Sequence, residues 1–134
     1  MPAVRIHVLA GHPKAALRRL MANVAAAITN SLETELERLS LWIDELDPAL
    51  RLIDGRPASD LLTSAEPSVV DAPFVDLYVL AGRPIEMLHR VEREITEGVV
   101  RALGTKRDRV RVLVHEVPAD RWSIGGLPAT VPSA

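Results

Sequence analysis

Val4, Ile6 and Val8 alternate with Arg5, His7 and Leu9, the two-residue period of a strand over Ala3–Leu9. Gly11 and Pro13 break the alternation, and Pro13 suits the first turn of a helix. Leu17, Leu20, Met21, Val24, Ile28 and Leu32 then recur at helical spacing, before Leu39, Leu41 and Ile43 return to period two. The segment predicts strand–helix–strand, with parallel strands joined by a right-handed crossover. The same succession returns further along. Val75, Leu77 and Val79 make a strand face, Gly82 and Pro84 a turn, and Leu88, Val91, Ile95, Val99 and Leu103 a helix stripe closed by Gly104. Val110, Val112 and Val114 supply a fourth strand, and Pro118 with Gly125-Gly126 predicts a small terminal hairpin.

The recurrence is a duplication. Shifted by 71 residues, Pro2–Ala58 lies on Pro73–Ala129 without a gap, and 17 of the 57 pairs are identical. They include Pro2/Pro73, Val8–Gly11 on Val79–Gly82, Pro13/Pro84, Leu17/Leu88, Glu45/Glu116 and Gly55/Gly126. One register over that length fixes the organisation: a first β-α-β repeat over 1–58, a linker over 59–71 and a second repeat over 72–134. The expected fold class is α+β, a tandem β-α-β chain with a four-stranded mixed sheet and two helices on one face. The other face would then carry Leu9, Trp42, Tyr78, Leu80 and Leu113, too apolar to leave in water, so the chain is expected to assemble with copies of itself.

Composition narrows the function classes. A formal charge of −2 gives no electrostatic case for nucleic acid or an anionic membrane surface. With no cysteine, a disulfide, a thiolate nucleophile or a cysteine metal site is excluded. No apolar run approaches a membrane span, and the N-terminus lacks the basic-then-apolar layout of a signal peptide, so the cytoplasm is the expected location. His7, His12, His89 and His115 lack metal spacing, and His7 and His115 read as strand surface residues.

The candidate chemistry begins at Pro2. Removal of Met1 would leave it a free secondary amine, whose reference pKa near 8 falls when burial disfavours the charged form. Such an amine is a good general base beside a carbonyl, and it can also attack one. Pro73 is its counterpart, but an internal amide nitrogen has no basic lone pair. The second repeat compensates with Arg83 where the first has His12, Arg111 where it has Ser40, and Trp122 where it has Arg51. One half keeps the amine; the other keeps two carboxylate-binding cations and an aromatic wall.

Met1-Pro2, Ile6–Leu9, Leu80–Arg83, Arg109–Val112 and Glu116–Pro118 running to Trp122–Gly126 resemble the tautomerase superfamily, specifically a fused form of the 4-oxalocrotonate tautomerase group. The resemblance implies a β-α-β building block, an amino-terminal proline acting as acid and base, and a homotrimer of fused chains. It places the two substrate-binding arginines on Arg83 and Arg111 and the aromatic wall on Trp122. The implied function is cofactor-independent enol–keto isomerisation of a small 2-hydroxy-dienoate or arylenolpyruvate, with Pro2, Arg83 and Arg111 catalytic and Trp122, Arg83 and Arg111 binding substrate. The implied partners are a small carboxylate-bearing substrate and two further copies of the chain, without nucleic acid, membrane, cofactor or metal. Two alternatives stand beside it. One is a cofactor-free hydratase or decarboxylase of 3-oxo or unsaturated acids. The positions that a chloroacrylate dehalogenase would use look like Ile124 and Leu80, which lack the required chemistry, and the acidic position of a malonate semialdehyde decarboxylase falls near Arg38, with Glu37 next door. The other is a non-catalytic trimeric scaffold, for which His12, Ser40 and Arg51 leave room.

Overall fold

A computed structural model describes residues 2–130. Met1, whose removal the reading above requires, and 131–134, the end of the second repeat, lie outside them. The first repeat runs β1 (Ala3–Leu9), α1 (Lys14–Leu32), β2 (Ser40–Leu46), then the short pair β3 (Leu52–Ile53) and β4 (Arg56–Pro57). Two four-residue helices follow, α2 (Ala58–Leu61) and α3 (Pro67–Val70). The second repeat is β5 (Phe74–Leu80), α4 (Ile85–Leu103), β6 (Arg111–Val117) and the pair β7 (Ser123–Ile124) and β8 (Leu127–Pro128). Each of these elements begins and ends 71 residues after its counterpart.

The four long strands form one mixed sheet in the order β2-β1-β5-β6. The outer pairs are parallel and the central pair β1–β5 is antiparallel, with Ala3 opposite Tyr78 and His7 opposite Phe74. The antiparallel centre relates the two repeats by a local two-fold, so equivalent residues stand at opposite ends of the sheet. Both long helices start just after a proline, Pro13 or Pro84, and close on a left-handed residue. That residue is Gly104 at φ 72° in the second repeat, but Glu33 at φ 54° in the first. Only glycine takes this conformation without a steric cost, so the first cap is the more strained.

Both helices pack on one face. Val4, Ile6, Val8, Val75, Leu77 and Val79 from the strands meet Leu17, Leu20, Val24, Ile28, Leu88, Val91, Ile95 and Val99 in one core. Burial of each such side chain is worth about 1.5–3 kcal/mol. Met21, placed on the helix stripe by its spacing, is 43% exposed and lies outside that core. The helices approach closely at Gly98, where a Cβ would lie 3.1 Å from Asn23 Cβ, and Asn23 Nδ2 donates to Gly98 O at 3.1 Å.

The opposite face differs from expectation in two ways. Leu9 is fully buried, covered by Ile53, Ala58 and Val70, because the β3–β4 hairpin and the segment after it fold over that corner. The rest of the face is open, with Trp42 38% and Leu113 41% exposed, but its centre is polar. Asp76 accepts from His115 Nε2 at 2.8 Å and from His7 Nε2 at 3.1 Å, while Asp44 lies 3.3 Å from Arg5 Nε. The charges are matched within the chain, and Trp42, Phe74, Tyr78 and Leu113 surround them. No helix among the described residues is long and apolar enough to cross a membrane.

Candidate active site

Pro2 is buried at the start of β1, and its carbonyl accepts from Ser40 N at 3.1 Å. Ala3 stands opposite Tyr78, so Pro2 lies level with Val79, at the end of the sheet where β5 and β6 finish. Arg83 follows β5 at that same end; it is half-buried, with Nη1 donating to Leu80 O at 3.3 Å. Trp122 belongs there too, a half-buried residue five positions beyond the last residue of β6, in a turn closed by Ala129 N donating to Trp122 O at 2.7 Å. One end of the sheet therefore gathers the amino-terminal segment, one cation and one aromatic ring.

Arg111 lies at the other end. It opens β6 opposite Phe74, its backbone N–H donates to Pro73 O at 3.0 Å, and its Nη1 donates to Asp108 O at 2.6 Å. Five residue steps from the Val79 level to the Phe74 level are about 17 Å of strand, and two strand spacings add about 10 Å across. Pro2 and Arg111 are thus roughly 20 Å apart in one chain, whereas an arginine side chain reaches about 7 Å at bond lengths near 1.5 Å. Around Arg111, a cleft of about 350 Å³ is lined by Arg51, Lys106 and Arg109 with Asp54 and Asp108, an excess of positive charge.

Two of the three first-repeat counterparts of the candidate site residues are engaged elsewhere. His12, at the Arg83 position, is buried with Nε2 donating to Asp71 Oδ2 at 2.7 Å. Arg51, at the Trp122 position, donates from Nη2 to Ala72 O at 2.8 Å. Ser40, at the Arg111 position, is exposed at the edge of β2.

Residues 73–131 match the family model described as tautomerase enzyme. The chain is 39% identical over 57 residues to a 2-hydroxymuconate tautomerase of Comamonas testosteroni, covering 42% of this chain and 90% of that protein. It is 40% identical over 58 residues to a 2-hydroxymuconate tautomerase of Pseudomonas putida, covering 43% and 92%. The chain belongs to the tautomerase family. Those relatives are about one repeat long. Over its whole length this tautomerase-family chain resembles native fused 4-OT, with a TM-score of 0.84, 25% identity and 96% of each chain covered. A fused 4-OT solved as a symmetric trimer gives a TM-score of 0.82 at 22% identity, again over 96% of each chain.

Sequence reasoning missed the group His7–Asp76–His115. His7 and His115 are not simple surface positions: they share the Asp76 carboxylate, and His115 stacks on Tyr78 with ring centroids 4.6 Å apart. Burial raises the Asp76 carboxyl, but hydrogen bonds and charge from His115 and His7 outweigh it and hold the group below its usual value. The signal was the parity of these residues, which puts all three on the open face.

Proposed function

We propose that this chain is a cofactor-independent tautomerase that interconverts enol and keto forms of a small 2-hydroxy-dienoate or arylenolpyruvate. The observation that carries the reading is the inequality of the two sheet ends. Pro2 stands with Arg83 and Trp122 at one of them, while Pro73 is an internal amide whose neighbourhood is occupied by the chain itself. With Met1 removed, the Pro2 nitrogen takes the enol hydroxyl proton and returns it to carbon. Pro2 is buried, and an apolar setting of that kind would disfavour the charged form of a free amine there. Arg83 holds a substrate carboxylate, and Arg111 stabilises charge developing on the carbonyl oxygen. Trp122 keeps water from the amine.

The strand register supports donation of Arg111 by a second copy. It lies beyond reach of Pro2 in its own chain, exposed at the far end of the sheet. A cyclic trimer closes this arrangement, with each chain giving Pro2, Arg83 and Trp122 to one site and Arg111 to the next. The open sheet face fits such an assembly, since its charges are already paired and its apolar rim is free to dock. Turnover of 2-hydroxymuconate and phenylenolpyruvate tests the reading. Pro2→Ala should cut kcat/KM at least about a hundredfold, the usual scale for a general base. Pro73→Ala should leave it within a few-fold, and equal losses would mean that Pro2 acts structurally.

A further inference from the structure

The segment between the repeats does more than span them. Asp71, two residues before Pro73, is fully buried, and its Oδ2 accepts from His12 Nε2 at 2.7 Å and from Leu9 N at 3.0 Å. The side chains of Asp71 and His12 are 0% and 3% exposed. A carboxylate this deep is retained only where fixed donors meet it. The backbone around it is clamped as well. Arg109 donates from Nη2 to Val70 O at 2.7 Å and from Nε to Asp71 O at 3.2 Å, and Arg51 holds Ala72 O. Val70 packs on Leu9, Ile53 and Ala58. At Gly11 any Cβ would meet Pro67 at 3.3 Å, and φ is +122° there, so a side chain would push against the strap as it crosses.

His12 occupies the Arg83 position of the first repeat. We propose that Asp71 is an internal carboxylate ligand: the strap lays it into the first repeat's carboxylate seat, where it takes the place of a small free acid. The kinship of this seat with the Arg83 position rests on the function proposed above; the seat itself stands on its own contacts. Its donor set fits that history. An arginine at 12 would offer a fork to both carboxylate oxygens, whereas His12 offers one donor, and Asp71 Oδ1 has no partner among the described protein atoms. Arg83 at the opposite end meets no acidic side chain among the described residues. The duplicated chain thus keeps one seat for a ligand and fills the other with its own acid.

The test is chemical rescue by formate. Thermal unfolding is followed for the wild type, Asp71→Ala, Asp71→Asn and the double variant Asp71→Ala/His12→Ala, in sodium formate against sodium chloride at equal ionic strength. Asp71→Ala should melt below the wild type in chloride and recover at least about half of the loss as formate saturates the emptied seat. The wild type, whose seat is filled, Asp71→Asn, whose amide still fills it, and the double variant should not respond to formate. If Asp71→Ala is unfolded in chloride, refolding in formate supports the proposal and failure to refold overturns it. A folded Asp71→Ala indifferent to formate overturns it, as does an equal formate response in the wild type. Turnover by Asp71→Ala should stay within a few-fold of the wild type. A chain inactive on enol acids would sink the tautomerase reading while leaving the formate result legible.

Discussion

Mixing two crippled chains should produce an active enzyme. Pro2→Ala leaves only a primary, acyclic amine in place of the secondary one, and Arg111→Ala removes the far arginine. With Pro2 and Arg111 roughly 20 Å apart along and across the sheet, no single chain can bring both to one substrate. Loss of one charge-assisted contact costs about 1.5–3 kcal/mol, so the Arg111→Ala homotrimer should be about ten- to over a hundredfold slower in kcat/KM. Replacing the fixed secondary amine should cost the Pro2→Ala homotrimer at least about a hundredfold. Unfolded together in equal amounts and reassembled at random into the proposed cyclic trimer, the chains should give sites that draw Pro2 from one chain and Arg111 from the next. Half of the chains carry an intact Pro2 and half an intact Arg111, so about a quarter of sites are whole. The assay is kcat/KM on an enol acid before and after reassembly, with each chain carrying a different affinity tag so that mixed trimers can be isolated. Activity should rise to about a quarter of the wild type in the whole mixture and to about a third in the isolated mixed trimers, far above the mean of the parents. A mixture no better than that mean refutes the shared site, because sites built within one chain stay defective in every combination.

The remaining predictions concern single variants. Arg83→Ala should lower kcat/KM about ten- to over a hundredfold, since it loses one charge-assisted contact. His12→Ala should leave kcat/KM within a few-fold but depress Tm, because its partner is the buried Asp71 rather than substrate; steady-state kinetics and calorimetry on both variants separate the two effects. Asp76 has a folded pKa below its reference of 3.8, so its contribution to stability is present above that reference and is lost as pH falls through the lower folded value. Asp76→Asn should therefore be less stable than the wild type at neutral pH, and the gap should narrow as pH drops below 3.8 in urea unfolding. A gap independent of pH would mean that the carboxylate charge does not contribute.

Much of this architecture is legible in the residue pattern, because both repeats follow the same periods in one register. Alternation places Val4, Ile6, Val8, Val75, Leu77 and Val79 in the core, and the helix stripes supply their partners. Leu9 shows where periodicity stops informing. Its parity puts it on the open face, yet Ile53 and Val70, from segments without any sustained period, bury it. The separation of Pro2 from Arg111 was illegible for another reason. The 71-residue offset relates the repeats in sequence but does not give the sense in which β1 and β5 pair, and the antiparallel pairing sends Arg111 to the far end. The same missing register hid His7–Asp76–His115, whose members share a face by parity but meet only once the strands are aligned. The role of Asp71 lay hidden because nothing local marks an acid in a loop as the partner of a histidine 59 residues away.

The proposed chemistry needs a free amine at Pro2, and covalent labelling examines it most directly. The purified protein is treated with an acetylenic 2-oxo acid such as 2-oxo-3-pentynoate, then weighed intact and mapped by peptide. Met1 should be absent, activity should fall in step with one adduct per chain, and the adduct should sit on the Pro2 nitrogen, with none on Pro73. An active enzyme that retains Met1, or that is inactivated by an adduct on another residue while Pro2 stays unmodified, would contradict it.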